Sequence, residues 1–238
     1  MPAVVELHIW GVPRHQVPTA LIRMGLDRTA LRDLHGVRFA KMLGTAFGAG
    51  FGVRHADARH WGALTTWDTA EAADRFAASR PARAWAAIAD ETLRVRLHPL
   101  ASRGTWSGRT PFGDPTPARP VAGTTVAALT RARIKPRLWR EFWRSVPPVA
   151  HDLGARDGLR LALGIGEAPV GLQGTFSVWS NLDALRDFAH RGDAHTRAVR
   201  ATTELGWYSE ELFARFAVES IQGRYLGRSW PEPGAPAS

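Results

Sequence analysis

From Val4 to Val12 the chain alternates, with Val5, Leu7 and Ile9 on one face and Glu6, His8 and Trp10 on the other, the period of a strand. From about Gln16 to Leu34 the apolar positions Leu21, Met24, Leu31 and Leu34 recur near helical spacing. Val37 to Leu43, bounded by Gly36 and Gly44, predicts a second strand. The glycine-rich stretch Gly44 to Gly52 and the polar run Arg54 to His60 read as one long loop. Trp61 to Trp67 predicts a strand, an Ala-rich helix begins near Ala70, and Leu93 to Leu97 alternates again. The predicted order is strand, helix, strand, strand, helix, strand.

Between Ala101 and Ala122, Ser, Gly and Pro dominate, which is linker composition. The pattern then starts over. Thr124 to Ile134 predicts a strand, and Arg137 to Leu153 a helix with Leu138, Phe142, Val146, Val149 and Leu153 on one face. Leu159 to Gly164 and Gly174 to Trp179 predict strands, and a helix from Leu182 is interrupted near Gly192 and Asp193. The residues repeat as well. Gly36 to Gly44 matches Gly158 to Gly166, and Leu64 to Ala77 matches Phe176 to Ala189 with Trp67 over Trp179 and Phe76 over Phe188. Two ordered matches imply a duplicated ferredoxin-like module, helices on one face of an antiparallel sheet. The open faces must also be buried, which two modules achieve by packing sheet against sheet. The expected fold is therefore α+β, tandem ferredoxin-like modules forming an intramolecular dimeric α-β barrel. Residues 1–100 form the first module, 101–122 the linker, 123–228 the second module and 229–238 a loose tail.

An apolar fraction of 45% supplies a core, and the absence of cysteine excludes disulfides, thiolate catalysis and cysteine-held iron. No apolar run reaches the about 18 residues needed to span a membrane, and the start lacks a leader pattern, so a cytoplasmic protein is expected. The formal charge is +9, but the cations are spread along the chain and Lys41 and Lys135 are its lysines. No clustered basic motif marks nucleic acid as a partner. A basic surface does suit peripheral contact with anionic lipid.

The runs Ala132 to Pro136, Trp139 to Trp143, Ala162 to Pro169 and Gly206 to Phe216, with Arg38 to Thr45 in the first copy, resemble the spheroidene monooxygenase family. The resemblance extends from Met1 to about residue 220. It implies an oxygenase of acyclic carotenoid biosynthesis that contains haem b, uses O2 and electrons from an external donor, and introduces a keto group by two hydroxylations at one carbon and loss of water. A haem enzyme of related fold acting on another substrate, as peroxidase, dehydratase or nitrogen-oxidising catalyst, is the rival reading, and a binding barrel without activity is a third. At position 190 the family pattern leads one to expect an aromatic residue, and this chain has His.

A haem without cysteine needs a neutral imidazole on the iron. His190 falls opposite Ala78 and His195 opposite Arg83 when the copies are overlaid, so both are private to the second copy. His195 follows Asp193, a helix-capping residue type, and is the expected iron ligand, with His190 second and assigned a catalytic place. His151 reads as a helix-end histidine. His55, Asp57 and His60 lie close in sequence but do not by spacing make a metal site. Arg131, Arg133 and Lys135 share one face of a strand. Such a row suits haem propionates, with Arg131 and Arg133 as catalytic candidates and Arg133 and Lys135 as cofactor contacts. Trp179 and Trp207 are the aromatic walls expected for a flat, hydrophobic substrate and its cofactor.

Overall fold

Each helix and strand is placed below for residues 4–47, 56–135, 138, 157–167, 172–191 and 208–230, which the computed structural model describes. The chain divides into two compact units, one of Met1–Gly44, Asp57–Pro99 and Val218–Ser238, the other of Thr45–Ala56 and Leu100–Ala217. The first carries β1 (Val4–Gly11), α1 (Val17–Arg32), β2 (Val37–Phe47), β3 (Ala56–Trp67), α2 (Ala70–Asp74), α3 (Arg80–Ala86) and β4 (Glu91–Gly104). Its sheet order is β4-β1-β3-β2, and β1 runs antiparallel to both neighbours. The second carries β5 (Val126–Ile134), β6 (Leu159–Gly166), β7 (Leu172–Trp179), α4 (Leu182–Arg191) and β8 (Tyr208–Tyr225), in the order β6-β7-β5-β8, the residues of β8 from Val218 on belonging to the first unit. A short β9 (Arg228–Trp230) turns back on the end of β8. The fold is mixed α+β, and the strands of the two units share one order, the ferredoxin-like one. The expected helix from Arg137 to Leu153 lies outside the described residues apart from Leu138.

The Ala-rich helix of the first unit is broken in two. Thr69 caps α2 by accepting from the Ala72 amide at 3.2 Å, Ser79 caps α3 by accepting from the Ala82 amide at 3.3 Å, and Pro81 sits in the first turn of α3. Strand β3 starts five residues ahead of the expected Trp61, because its polar start is buried: Asp57 and His60 satisfy each other rather than water. Under the helices of the first unit lies an aromatic core of Trp10, Trp61, Trp67, Phe76 and Trp85. Val126, Trp179 and Leu185, with Phe188 against them, do the same in the second. The linker-like stretch after β4 is anchored by Trp106 and Phe112, both buried.

Register fixes which residues of the two units correspond. Val4 pairs with Trp67 and Val126 with Trp179, so Ile9 corresponds to Arg131 and Gly11 to Arg133. Gly11 faces Glu91 and Arg133 faces Glu210, which makes these two carboxylates equivalent. The same bonds recur. The indole N–H of Trp67 donates to Thr65 and that of Trp179 to Ser177, each at 2.9 Å. Asp68 N donates to Gly36 O and Ser180 N to Gly158 O, each at 2.8 Å. Gly36 and Gly158 have φ of 82° and 81°, and a Cβ on either would strike the alanine of the following helix, Ala72 or Ala184.

Candidate functional site

At the end of β4 the chain reads Gly104-Thr105-Trp106-Ser107-Gly108-Arg109, and at the end of β8 it reads Gly223-Arg224-Tyr225-Leu226-Gly227-Arg228. Both are the same turn. Gly104 and Gly223 have positive φ, as do Ser107 and Leu226, and Gly108 and Gly227. Each turn is tied down by one of the equivalent carboxylates. Glu210 accepts from the Gly108 amide at 2.7 Å and from the Thr105 hydroxyl at 3.2 Å. Glu91 accepts from the Leu226 amide at 2.8 Å and the Gly227 amide at 3.2 Å.

The two units then diverge in what they set against that carboxylate. In the second unit it is Arg131, where the first unit has the core residue Ile9. The Arg131 side chain is 2% exposed; Nη1 donates to Glu210 and Nη2 to Glu167 at 2.9 Å. Trp106 donates its indole N–H to the same Glu167 oxygen at 2.6 Å and stands 5.5 Å from the Arg131 guanidinium. Burial alone would push the Glu210 carboxyl up, but the Gly108 amide, the Arg131 guanidinium and the Ser107 amide outweigh it and hold it at about 2. The Nε of Arg131 is buried with no hydrogen-bond partner among the described residues. A cation thus replaces an aliphatic side chain on the sheet face away from the helices, and two carboxylates compensate it.

In the first unit the partner is His60. Its Nδ1 lies 2.5 Å from Asp57 and its Nε2 2.6 Å from Glu91, and the ring is buried. Burial opposes charge on the imidazole, but the bonds to Asp57 and Glu91 prevail and raise its pKa above the ordinary value. With acceptors on both nitrogens, the ring is an imidazolium donating twice. Tyr225 packs edge-on to it at 5.1 Å with its hydroxyl buried and, among the described residues, without a partner. Burial and the charges of Asp57 and Glu91 push that phenol up. On the helix side of the same unit, the buried Glu6 is bracketed by His8, Arg94 and Arg96, each at 2.9 Å.

Of the residues singled out from the sequence, Arg131 and Arg133 do share a strand face, but their surroundings differ. Arg133 is at the strand end, its side chain 47% exposed and its Nε 3.8 Å from Glu210, beyond hydrogen-bond reach. Lys135, just past β5, is half-buried. Trp179 is fully buried, bonded to Ser177 and stacked on Phe188 at 5.3 Å, so its ring belongs to the core beneath α4. His190 lies in the last turn of α4. His195, Trp207, His151 and His55 lie outside the described residues. Among the described residues no three His, Asp or Glu side chains are grouped to hold a metal ion. Sequence reading missed Glu167, Trp106 and Glu91. The doubled Gly-x-aromatic-x-Gly-Arg run was the signal for the turns, hidden because its first copy sits in linker-like composition.

No family model matches the chain. Over 213 residues it is 38% identical to spheroidene monooxygenase of Rhodobacter capsulatus, a match covering 89% of this chain and 88% of the relative. Over 197 residues it is 40% identical to spheroidene monooxygenase of Rubrivivax gelatinosus, covering 82% of this chain and 74% of the relative. Among solved structures, an aldoxime dehydratase in complex with butyraldoxime aligns with a TM-score of 0.61 over 91% of this chain and 79% of that one. At 12% identity that likeness concerns the fold alone.

Proposed function

The chain belongs to the spheroidene monooxygenase family and is a monooxygenase, and from that premise we propose that it oxidises an acyclic carotenoid, or a polyene of like shape, to a ketone with the help of haem b. The observation that carries the reading is the asymmetry of the two units. The second alone sets cations, Arg131 and Arg133, where the first has Ile9 and Gly11. Functional groups are expected where a duplicated scaffold departs from its own repeat.

The donor set fits the acidic edge of a haem. Arg133 and Lys135 are the cations that would hold the propionates, since Arg131 is committed to Glu167 and Glu210. The iron needs a neutral imidazole, and His60, charged and donating from both nitrogens, is unsuited to it. His195 is our assigned ligand and His190 the second choice. When bound, haem supplies the activation of O2. The Gly108 amide, Arg131 and the Ser107 amide keep Glu210 ionised, so that this carboxylate is not a proton source at neutral pH. Each of two hydroxylations at the reacting carbon consumes one O2, two electrons from an external donor and two protons from solvent, one oxygen atom entering the C–H bond and the other leaving as water. The resulting geminal diol loses water to give the ketone.

The test is an absorption spectrum followed by product analysis. The haem-loaded protein should show a Soret band that is lost in His195→Ala and kept in His151→Ala. A protein that stays colourless after haem supplementation sinks the haem reading. With haem bound and electrons supplied, an acyclic carotenoid should yield a ketone; haem binding without that product points to the rival substrate classes.

A further inference from the structure

Helix α1 is apolar on both sides. Inward it buries Ala20, Met24 and Leu31. Outward it shows Leu21, Ile22 and Leu26, which are 57%, 64% and 69% exposed and make up three of the five exposed large apolar side chains among the described residues. At about 100° per residue, Pro18, Leu21, Ile22, Gly25 and Leu26 fall on one arc, opposite the buried one. Single exposed leucines need no explanation, but a contiguous set on one helix face does. A helix with a second apolar patch opposite its buried one has more apolar surface than its own sheet covers.

The rim of that face is basic. Arg14, Arg28 and Arg32 are exposed around it, whereas Asp27 is buried and bridged to Arg23 at 3.6 Å, leaving Asp33 as the exposed carboxylate of the stretch. We propose that α1 docks on an anionic lipid bilayer, lying flat with Leu21, Ile22 and Leu26 in the headgroup and acyl boundary and the arginines against lipid phosphates. Apolar side chains on the face with arginines at its edge are the composition of an interfacial helix. Charge favours this occupant over a second copy of the chain: a contact of this face with itself brings the same arginines together, in a protein whose net charge is already +9. The inference goes beyond the oxygenase reaction and does not depend on it, because lipid binding is read without turnover.

The full chain is sedimented with vesicles of phosphatidylcholine alone and with about a third phosphatidylglycerol. We expect binding to the anionic vesicles, weakened by high salt. In the variant combining Leu21→Ser, Ile22→Ser and Leu26→Ser, binding should fall by about tenfold or more, with near-ultraviolet circular dichroism unchanged. Because the chain has no cysteine, Ile22→Cys carries a single environment-sensitive fluorophore and should shift to the blue on anionic vesicles, while Ser229→Cys should not. A wild-type chain that stays in the supernatant, a serine variant that binds equally well, or an unshifted label at position 22 overturns the proposal. So does a wild-type dimer that the serine variant dissolves, since the face then belongs to a second copy.

Discussion

The buried His60 of the first unit and the buried Arg131 of the second each sit against one of the two equivalent carboxylates, Glu91 and Glu210. His60 has its pKa raised above the ordinary 6.5, so its contribution to stability is fully present below that value and is lost as pH rises through the folded-state value. His60→Gln should therefore flatten the alkaline side of the stability profile. Near pH 6 it should cost about 3 kcal/mol, since Asp57 and Glu91 lose a buried partner. Urea unfolding across pH tests this; an unchanged alkaline slope refutes it. Arg131→Met should cost about 3–5 kcal/mol by stranding Glu167 and Glu210, and adding Glu210→Gln should restore part of the loss, because the penalty lies in unpaired charge rather than in lost volume. Alternation along β5 did place Arg131 on the strand face it shares with Arg133. Its partners were not legible, because Glu167 and Glu210 lie 36 and 79 residues away and meet it only across β6 and β8.

At the scale of elements, the duplicated turns are the most constrained pieces of backbone. A Cβ on Gly104 would sit 2.1 Å from the Glu211 carbonyl oxygen, and one on Gly223 2.1 Å from that of Thr92, both at positive φ. Gly108, also at positive φ, meets nothing within 4 Å. Gly104→Ala should thus destabilise by about 3 kcal/mol or more, whereas Gly108→Asn, a residue that tolerates this region, should cost about 1 kcal/mol or less. Chemical denaturation of the two variants decides it, and equal losses would contradict the steric account. The repeated indole bonds give a second check. Ser177→Ala and Thr65→Ala each leave a buried indole N–H unsatisfied and should cost about 1–3 kcal/mol. Strands with a clean period were readable, as β1 and β5 show, and α1 lies where it was expected although Leu21, one of its marker positions, faces outward. The start of β3 was not, since Asp57 and His60 look like loop residues until Glu91 arrives beside them from β4.

For the whole molecule the two pH effects bracket a range. Glu210, held at about 2 against an ordinary 4.5, stabilises above the ordinary value and loses its contribution as pH falls toward the folded-state one. Glu6 and Glu91, also lowered, add to that acid limb, and His60 shapes the alkaline one. Urea midpoints should peak between 4.5 and 6.5, the ordinary carboxylate and imidazole values. A Glu210→Gln chain should lose less stability than wild type on going from pH 5 to pH 3. The sequence by itself determined the duplication, the α+β class with its strand-helix order and the family, because period, glycine placement and multi-residue motifs are local properties of the chain. The tertiary structure alone decided which charges meet. Electrostatic pairing depends on distances of a few ångströms between strands far apart in sequence, and no pattern along the chain encodes that Arg131 takes the place of Ile9 against Glu210, or that His60 closes on Glu91.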